Sequence, residues 1–323
     1  MIINLTLRFI FLLNLIGLSS QLIAQTFPSK PIKIIVPVAV GGGADRMTRT
    51  MAAALSERIG QPVVIENRGG AGGTVGMDLG AKAEPDGHTL TMVFQSMGVN
   101  PYLYLKLPFD TVKDFSPVSL MVKYQVVMVV NNSLPVKNVA ELVGLAKAKP
   151  DSLSFGGSGM GGLSHLSMEL FMNQTGTKFL HIPYKGNAPA MADLLGGQIN
   201  VIVDALAGVA PLIKDGKIKA LGVGSKNRSS LLPNVPAIAE TYPSYEMVGW
   251  LGIAAPSGTP PDRVNYLSRE IAAAMNQPSV KEVLVQTGNE IVGSTPEEFG
   301  RYIRSELDKY EALSRAIGMK PNQ

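Results

Sequence analysis

Two hydrophobic periods alternate along the chain. The run Pro31-Ile32-Lys33-Ile34-Ile35-Val36 is a short apolar stretch of the buried-strand kind. After it Met47, Met51 and Leu55 recur at helical spacing, with Asp45 placed to cap the helix and Gly60 to stop it. Pro62-Val63-Val64-Ile65 is the next strand. Strand, helix and strand within about 35 residues form a βαβ unit and predict a parallel sheet. Further strands are expected over 125–130, 199–203, 218–223 and 248–254. Val139, Leu142, Val143 and Ala146 mark another helix by their spacing. The last part of the chain is helical. Thr259-Pro260-Pro261-Asp262 predicts a helix start with threonine as cap. Thr295 and Glu298 have the spacing of a capping box, ahead of an apolar stripe of Phe299, Ile303, Leu307, Tyr310 and Leu313. The pattern defines an α/β protein.

The first 24 residues follow another rule. Arg8 is the only charged side chain before Lys30, and the apolar run from Phe9 to Leu18 follows it. Ser19-Ser20-Gln21 and Ala24-Gln25 then supply small and polar residues. This is the organisation of a cleavable secretory signal peptide, residues 1–24. The apolar core is short for a membrane span, which needs roughly 20 residues. Leu22 stands where a small residue is preferred before the cut.

Composition narrows the chemistry. The chain has 323 residues, enough for about two domains. It is 46% hydrophobic and 17% charged, which excludes a disordered chain. It has no cysteine, so disulfides, thiolate metal sites and cysteine nucleophiles are excluded. The three histidines, His88, His165 and His181, make a histidine metal site improbable, and no cofactor is expected. The net charge of +4 comes from scattered residues and gives nucleic-acid binding little support.

Two glycine-rich segments each join a strand to a helix: Gly41-Gly42-Gly43-Ala44-Asp45, and Gly156-Gly157-Ser158-Gly159-Met160-Gly161-Gly162. Free N–H groups at a helix start favour an anion, and glycine lets the backbone approach it. Two such loops facing each other would hold a carboxylate or phosphate with few charged side chains. A dinucleotide fingerprint fails at its third glycine, where Arg46 stands, and no P-loop lysine is present. A nucleophile elbow at Ser158 lacks its last glycine, where Met160 stands. His165 follows in the next helix and is placed to hydrogen-bond the adjacent loop; His88 is expected in a solvated turn. Asp204 ends the apolar run Val201-Ile202-Val203 and should point into a crevice, to bind a ligand amine, cap the next helix or brace a loop. Trp250 is expected to pack.

Several motifs carry a family resemblance. They include Pro28-Ser29-Lys30-Pro31-Ile32, Ile35-Val36-Pro37 with Gly41-Gly42-Gly43, and Glu66-Asn67-Arg68 with Gly70-Ala71-Gly72-Gly73. Pro85-Asp86-Gly87, His165-Leu166, Pro183-Tyr184-Lys185-Gly186 and Leu232-Pro233-Asn234-Val235-Pro236 continue the set. Trp250-Leu251-Gly252 and Pro256-Ser257-Gly258-Thr259-Pro260 complete it. Across nearly the whole mature chain this resembles the Bug family of periplasmic solute-binding proteins, the receptors of tripartite tricarboxylate transporters. The resemblance implies a two-lobed type II flytrap, each lobe a mainly parallel sheet flanked by helices. Lobe 1 would comprise residues 25–124 and 234–323 and lobe 2 residues 125–233, with crossovers near Tyr124 and Pro233. It implies a periplasmic, non-enzymatic monomer that delivers a small carboxylate, an organic acid or amino acid, to a membrane permease of the tripartite tricarboxylate type. The implied ligand residues are Val38, Ala39, Gly43 and Asp45 in the first loop, then Ser96, then Ser158, Gly159 and Gly162 in the second loop, and Asp204 for an amine. Ala44 and Gly162 each replace a usual hydroxyl residue, Val38 a usual aromatic and His88 a usual tyrosine, so ligand identity does not transfer. The alternatives are a secreted serine hydrolase using Ser158 and an orphan receptor feeding a signalling system.

Overall fold

The apolar runs become the middle of one curled sheet. The computed structural model describes residues 27–157, 159–184, 186–319 and 321, so the leader and Ser158 lie outside the described residues. The strands are β1 (Ile32–Val36), β2 (Val63–Asn67), β3 (Thr89–Phe94), β4 (Phe115–Asn131), β5 (Ser154–Gly157), β6 (Leu180–Pro183), β7 (Val201–Ala205), β8 (Ile218–Val223), β9 (Val248–Pro256) and β10 (Asn289–Ile291). The helices are α1 (Gly43–Ile59), α2 (Thr74–Ala81), α3 (Ser96–Leu103), α4 (Val139–Ala148), α5 (Leu163–Thr175), α6 (Asn187–Leu195), α7 (Leu206–Lys214), α8 (Pro261–Met275), α9 (Pro278–Gln286) and α10 (Pro296–Ala316).

The strand order is β2-β1-β3-β9-β4-β7-β5-β6, with β8 and β10 also on β4. Each end is a parallel wing: β2-β1-β3 in one lobe and β7-β5-β6 in the other. The strands between the wings run antiparallel to their neighbours. β4 belongs to both lobes. Its residues 115–125 pair with β9, and its residues 126–130 pair with β7. The sequence reveals only its second half. Ser116, Pro117 and Ser119 break the apolar pattern earlier, and the β9 register shifts there. Ser119 is tolerated in the core because its hydroxyl donates to the Ser294 carbonyl at 2.8 Å.

Apolar faces pack on both sides of each half-sheet, which is why its strands read as continuous apolar runs. In the first lobe Ile32, Ile34 and Leu90 meet Met51 and Leu55 of α1 and Leu267 of α8. On its other face Trp250 packs with Met77, Val93 and Phe299. In the second lobe Phe155 and Val203 meet Leu142 and Phe171, while Val127 and Ile202 meet Leu194 and Val209. The cluster around Phe155 also takes in Val99 and Leu103 of α3 and Tyr310 and Leu313 of α10, so α3 and α10 tie the lobes together.

The capping box of α10 forms as expected: Glu298 N–H donates to Thr295 Oγ1 at 3.3 Å, and Thr295 N–H to Glu298 Oε2 at 2.9 Å. The α8 start differs. Thr259 Oγ1 donates to the Pro256 carbonyl at 2.7 Å, and Pro260 takes the cap position. Ile238, Tyr245 and Met247 pack among Val139, Leu142 and Phe171 before β9 begins at Val248.

Candidate functional site

A cleft of about 1170 Å³ opens between the lobes. The first lobe lines it with Val38 and Ala39, with the turn Gly69–Gly73, and with Gln95 and Ser96. The second lobe contributes residues 160–164, Gly186 and Asn187, and residues 203–205. Tyr124, where β4 passes from lobe to lobe, also lines it.

Glycine makes this geometry possible. In the 69–73 turn Gly70, Gly72 and Gly73 have φ of 130°, 63° and 93°, and Ala71 shares the left-handed region at 45°. A Cβ on Gly73 would sit 2.9 Å from the Phe94 ring, so only glycine allows the turn to lie on β3. The turn delivers the N-terminus of α2, tied to α3 by Asn100 Nδ2 donating to Thr74 Oγ1 at 3.1 Å. Across the cleft, Gly162 caps α5 and Gly186 caps α6. Three helix N-termini therefore border one cavity. Such ends carry unpaired N–H groups and partial positive charge.

Asp204 is the charge that answers them. Asn187 Nδ2 donates to its Oδ1 at 2.5 Å, and Ala205 N–H to the same oxygen at 2.7 Å. Among the described residues neither bond uses Oδ2. Burial pushes this carboxyl above its ordinary value, partly offset by those two donors. Burial also raises the Tyr124 hydroxyl, with the Asp204 charge adding to it. No lysine or arginine is among the described residues lining the cleft. Gln95 Oε1, Ser96 Oγ and Asn187 Oδ1 are buried without partners. Each unpaired buried polar atom costs roughly 1–3 kcal/mol, a cost that a ligand can remove.

Of the residues expected from the sequence, Val38, Ala39, Ser96, Gly162 and Asp204 line the cleft together. Gly43, Asp45 and Gly159 do not. Asp45 turns onto its own loop: Oδ2 accepts from Gly41 N–H at 2.8 Å, Oδ1 from Asn67 Nδ2 at 2.8 Å, and Arg49 Nε reaches both oxygens. Burial opposes its charge, but Arg49, Gly41 and Asn67 outweigh burial and hold the carboxyl below its ordinary value. The first glycine loop thus spends an N–H on its own aspartate. Gly159 N–H closes a tight turn on the Gly157 carbonyl at 2.8 Å. The 69–73 turn, Gln95, Tyr124 and Asn187 also line the cleft, and none was among the ligand residues expected from the sequence. The turn had a signal, since it repeats the density of glycine before a helix seen at 41–43. The other three are isolated polar residues and had none.

Away from the cleft surface, Gly161 N–H donates to His165 Nδ1 at 3.3 Å, as expected for a histidine bonded to its loop. His88 is buried and not solvated, with Ser29 N–H donating to its Nε2 at 3.3 Å. Trp250 is fully buried, its Nε1 donating to Glu306 Oε2 at 2.9 Å.

Two α/β lobes with a cleft lined by helix ends from both define a solute-binding receptor. Comparison with known proteins agrees and is more specific. Residues 47–319 match the family described as tripartite tricarboxylate transporter family receptor. The chain is similar to the protein BugT of Bordetella pertussis, 35% identical over 94% of each chain. It is similar in structure to an R. palustris protein solved with adipate, with TM-score 0.83 and 34% identity over 92% of this chain and 100% of that one. MatC from Rhodopseudomonas palustris with bound malate gives TM-score 0.80 and 29% identity over 89% of this chain and 99% of that one. The chain belongs to the tripartite tricarboxylate transporter receptor family, to which the Bug proteins also belong. It is a binding protein and not an enzyme, so the hydrolase alternative at Ser158 falls.

Proposed function

We propose that this chain is an exported, periplasmic receptor that captures a small carboxylate between its lobes and presents it to a membrane permease of the tripartite tricarboxylate type. One observation carries the reading: the cleft gathers three helix N-termini and three unpaired buried polar atoms from both lobes, with no cationic side chain among its described lining. Backbone N–H groups would replace the hydration that a carboxylate loses on burial. Asp204 Oδ2 would take an amine or hydroxyl of the same ligand, which favours an amino or hydroxy acid. The bound adipate and malate of two structural neighbours support the acid class. We place the crossings between lobes at Tyr124–Gln125 and at Met247–Val248, where sheet pairing and core packing change sides. Among the described residues no helix is long and apolar enough to cross a membrane. Ligand contacts on both lobes would make the closed form the bound one, which a permease can read from a monomer.

A thermal-shift screen of residues 25–323, stripped of co-purified ligand by unfolding and refolding, tests this. A bound acid at about 100 times its Kd adds about 2.7 kcal/mol, several degrees at this length. The expected result is a saturable shift with amino or hydroxy acids. No shift with any small carboxylate would overturn the reading.

A further inference from the structure

Behind the second-lobe loop lies a histidine pair that ligand capture leaves unused. His165 is buried at the first turn of α5, and its Nδ1 accepts the Gly161 N–H. Nδ1 accepts only when the ring is neutral with its proton on Nε2. Nε2 lies 3.3 Å from Glu169 Oε1. The Gly161 bond assigns the tautomer. The His181 ring lies 4.6 Å from the His165 ring and stacks on Phe155 at 4.7 Å and 15°. Its Nε2 is buried without a partner.

Gly161 is where the lobes meet. It lines the cleft at φ 75°, and a Cβ there would lie 2.0 Å from Leu103 Cδ1 of α3. The same peptide segment leads into Gly162 and the free N–H groups of α5. Anything that moves Gly161 moves both the interlobe contact and the anion-facing end of the helix.

We infer that the His165–His181 pair is a pH-sensitive positioning element: neutral His165 holds Gly161 and the start of α5 in the ligand-competent geometry, and protonation of Nδ1 releases them. This rests on the cleft being the ligand site. In the protonated ring Nδ1 becomes a donor facing another donor, so the Gly161 bond is lost and acid weakens capture. The titratable groups facing His165 are Glu169 on α5 and His181 on β6. Phe155 on β5, its ring 6.4 Å from the His165 ring, does not titrate. Burial, reinforced by His165, holds the His181 imidazole down to about 4 against the pull of Glu169. The ring bonded to the loop is His165, so it is the ring whose protonation the Gly161 bond would report.

The test needs no ligand. Protein labelled at glycine with ¹⁵N is stripped of ligand, and amide exchange protection is followed from pH 7 to pH 5, corrected for intrinsic rates. Gly161 protection should fall at least tenfold between pH 7 and pH 5. Gly176, whose N–H donates to the Met172 carbonyl at 2.9 Å at the other end of α5, should not change. His165→Asn places an acceptor oxygen near Nδ1 that does not titrate, so the fall should disappear. His181→Phe keeps the stack and removes a ring that is already neutral between pH 7 and pH 5, so the fall should persist. A constant Gly161 protection in the wild type, or an equal fall in His165→Asn, overturns the inference. Malate, a hydroxy acid found in a structural neighbour, is the binding probe: its Kd should rise from pH 7 to pH 5 at least tenfold more in the wild type than in His165→Asn, where only the protonation of malate itself acts. If malate fails to bind at any pH, the choice of acid is at fault, and the glycine amide still decides the inference.

Discussion

A carboxylate at the end of a buried strand must be solvated by something, and at Asp204 that something is incomplete. Two donors share Oδ1, and burial raises the carboxyl above its ordinary value. The folded state then binds protons more readily than the unfolded one. Stability falls as pH rises from the ordinary carboxylate range through the folded value, and stays lower above it. Asp204→Asn keeps an oxygen for Asn187 and Ala205 and removes the charge. At pH 7 it should melt a few degrees above the wild type, about 1 kcal/mol, with the gap closing toward pH 4. Binding of an amine-bearing acid should weaken at least tenfold. Differential scanning fluorimetry across pH, with calorimetric titration at pH 7, reads both; a lower melting point at pH 7 would show the charge to be structural. Asp204 was legible because an acid ending an apolar run has few other reasons to be there. Asp45 was legible as a helix-start residue, but not the partner it chose: its carboxyl serves Gly41, Asn67 and Arg49. Asn67 stands 22 residues further on, a pairing that no local pattern encodes.

Elements show the same division. Helices with a clean stripe, such as α10 and α4, and strands that are apolar but for one lysine, such as β1 and β8, were visible before folding. The short helices that border the cleft were not. α2 and α3 have eight residues each and carry glycine or proline inside, so their periodicity is weak. The first half of β4 was hidden by its serines and proline. That half positions Tyr124, which pairs with Gly249 of β9. A Cβ at Gly249 would lie 2.0 Å from Tyr124 Cζ, so the ring needs glycine opposite it. Gly249→Ala should push the ring out of place, since a phenol has no flexible end to yield. The expected cost is about 1–3 kcal/mol in stability, with ligand affinity reduced as Tyr124 shifts in the cleft. Chemical unfolding and ligand titration measure the two effects. A variant as stable as the wild type would show that β9 can slide away from β4, and that the sheet there is softer than its register implies.

At the scale of the molecule, the proposed capture would move the lobes about β4 and the second crossing while α3 and α10 hold them together. Leu103 on α3 and Gly161 on the α5 loop form the contact across the cleft, with an ideal Gly161 Cβ only 3.3 Å from Leu103 Cγ. Leu103 Cβ stands one bond beyond Cγ, so the two Cβ atoms lie on the order of 4 Å apart, within the roughly 3.5–4.5 Å that a disulfide spans. The natural chain has no cysteine, so a pair placed here has no competing partner. Cysteine at 161 must accept a left-handed φ, a penalty of roughly 1–2 kcal/mol that the cross-link offsets by restricting the unfolded chain. The Leu103→Cys, Gly161→Cys double variant should therefore oxidise readily and hold the cleft in one arrangement. If ligand enters and leaves only when this contact opens, oxidation should slow both association and dissociation by at least tenfold. Reduction should restore both rates together. Stopped-flow binding under oxidising and reducing conditions decides it. Unchanged rates in the oxidised form would mean that solute reaches the cleft without breaking the Leu103–Gly161 contact, and the gate would then have to be sought at the opposite rim, where the 69–73 turn faces Gly186.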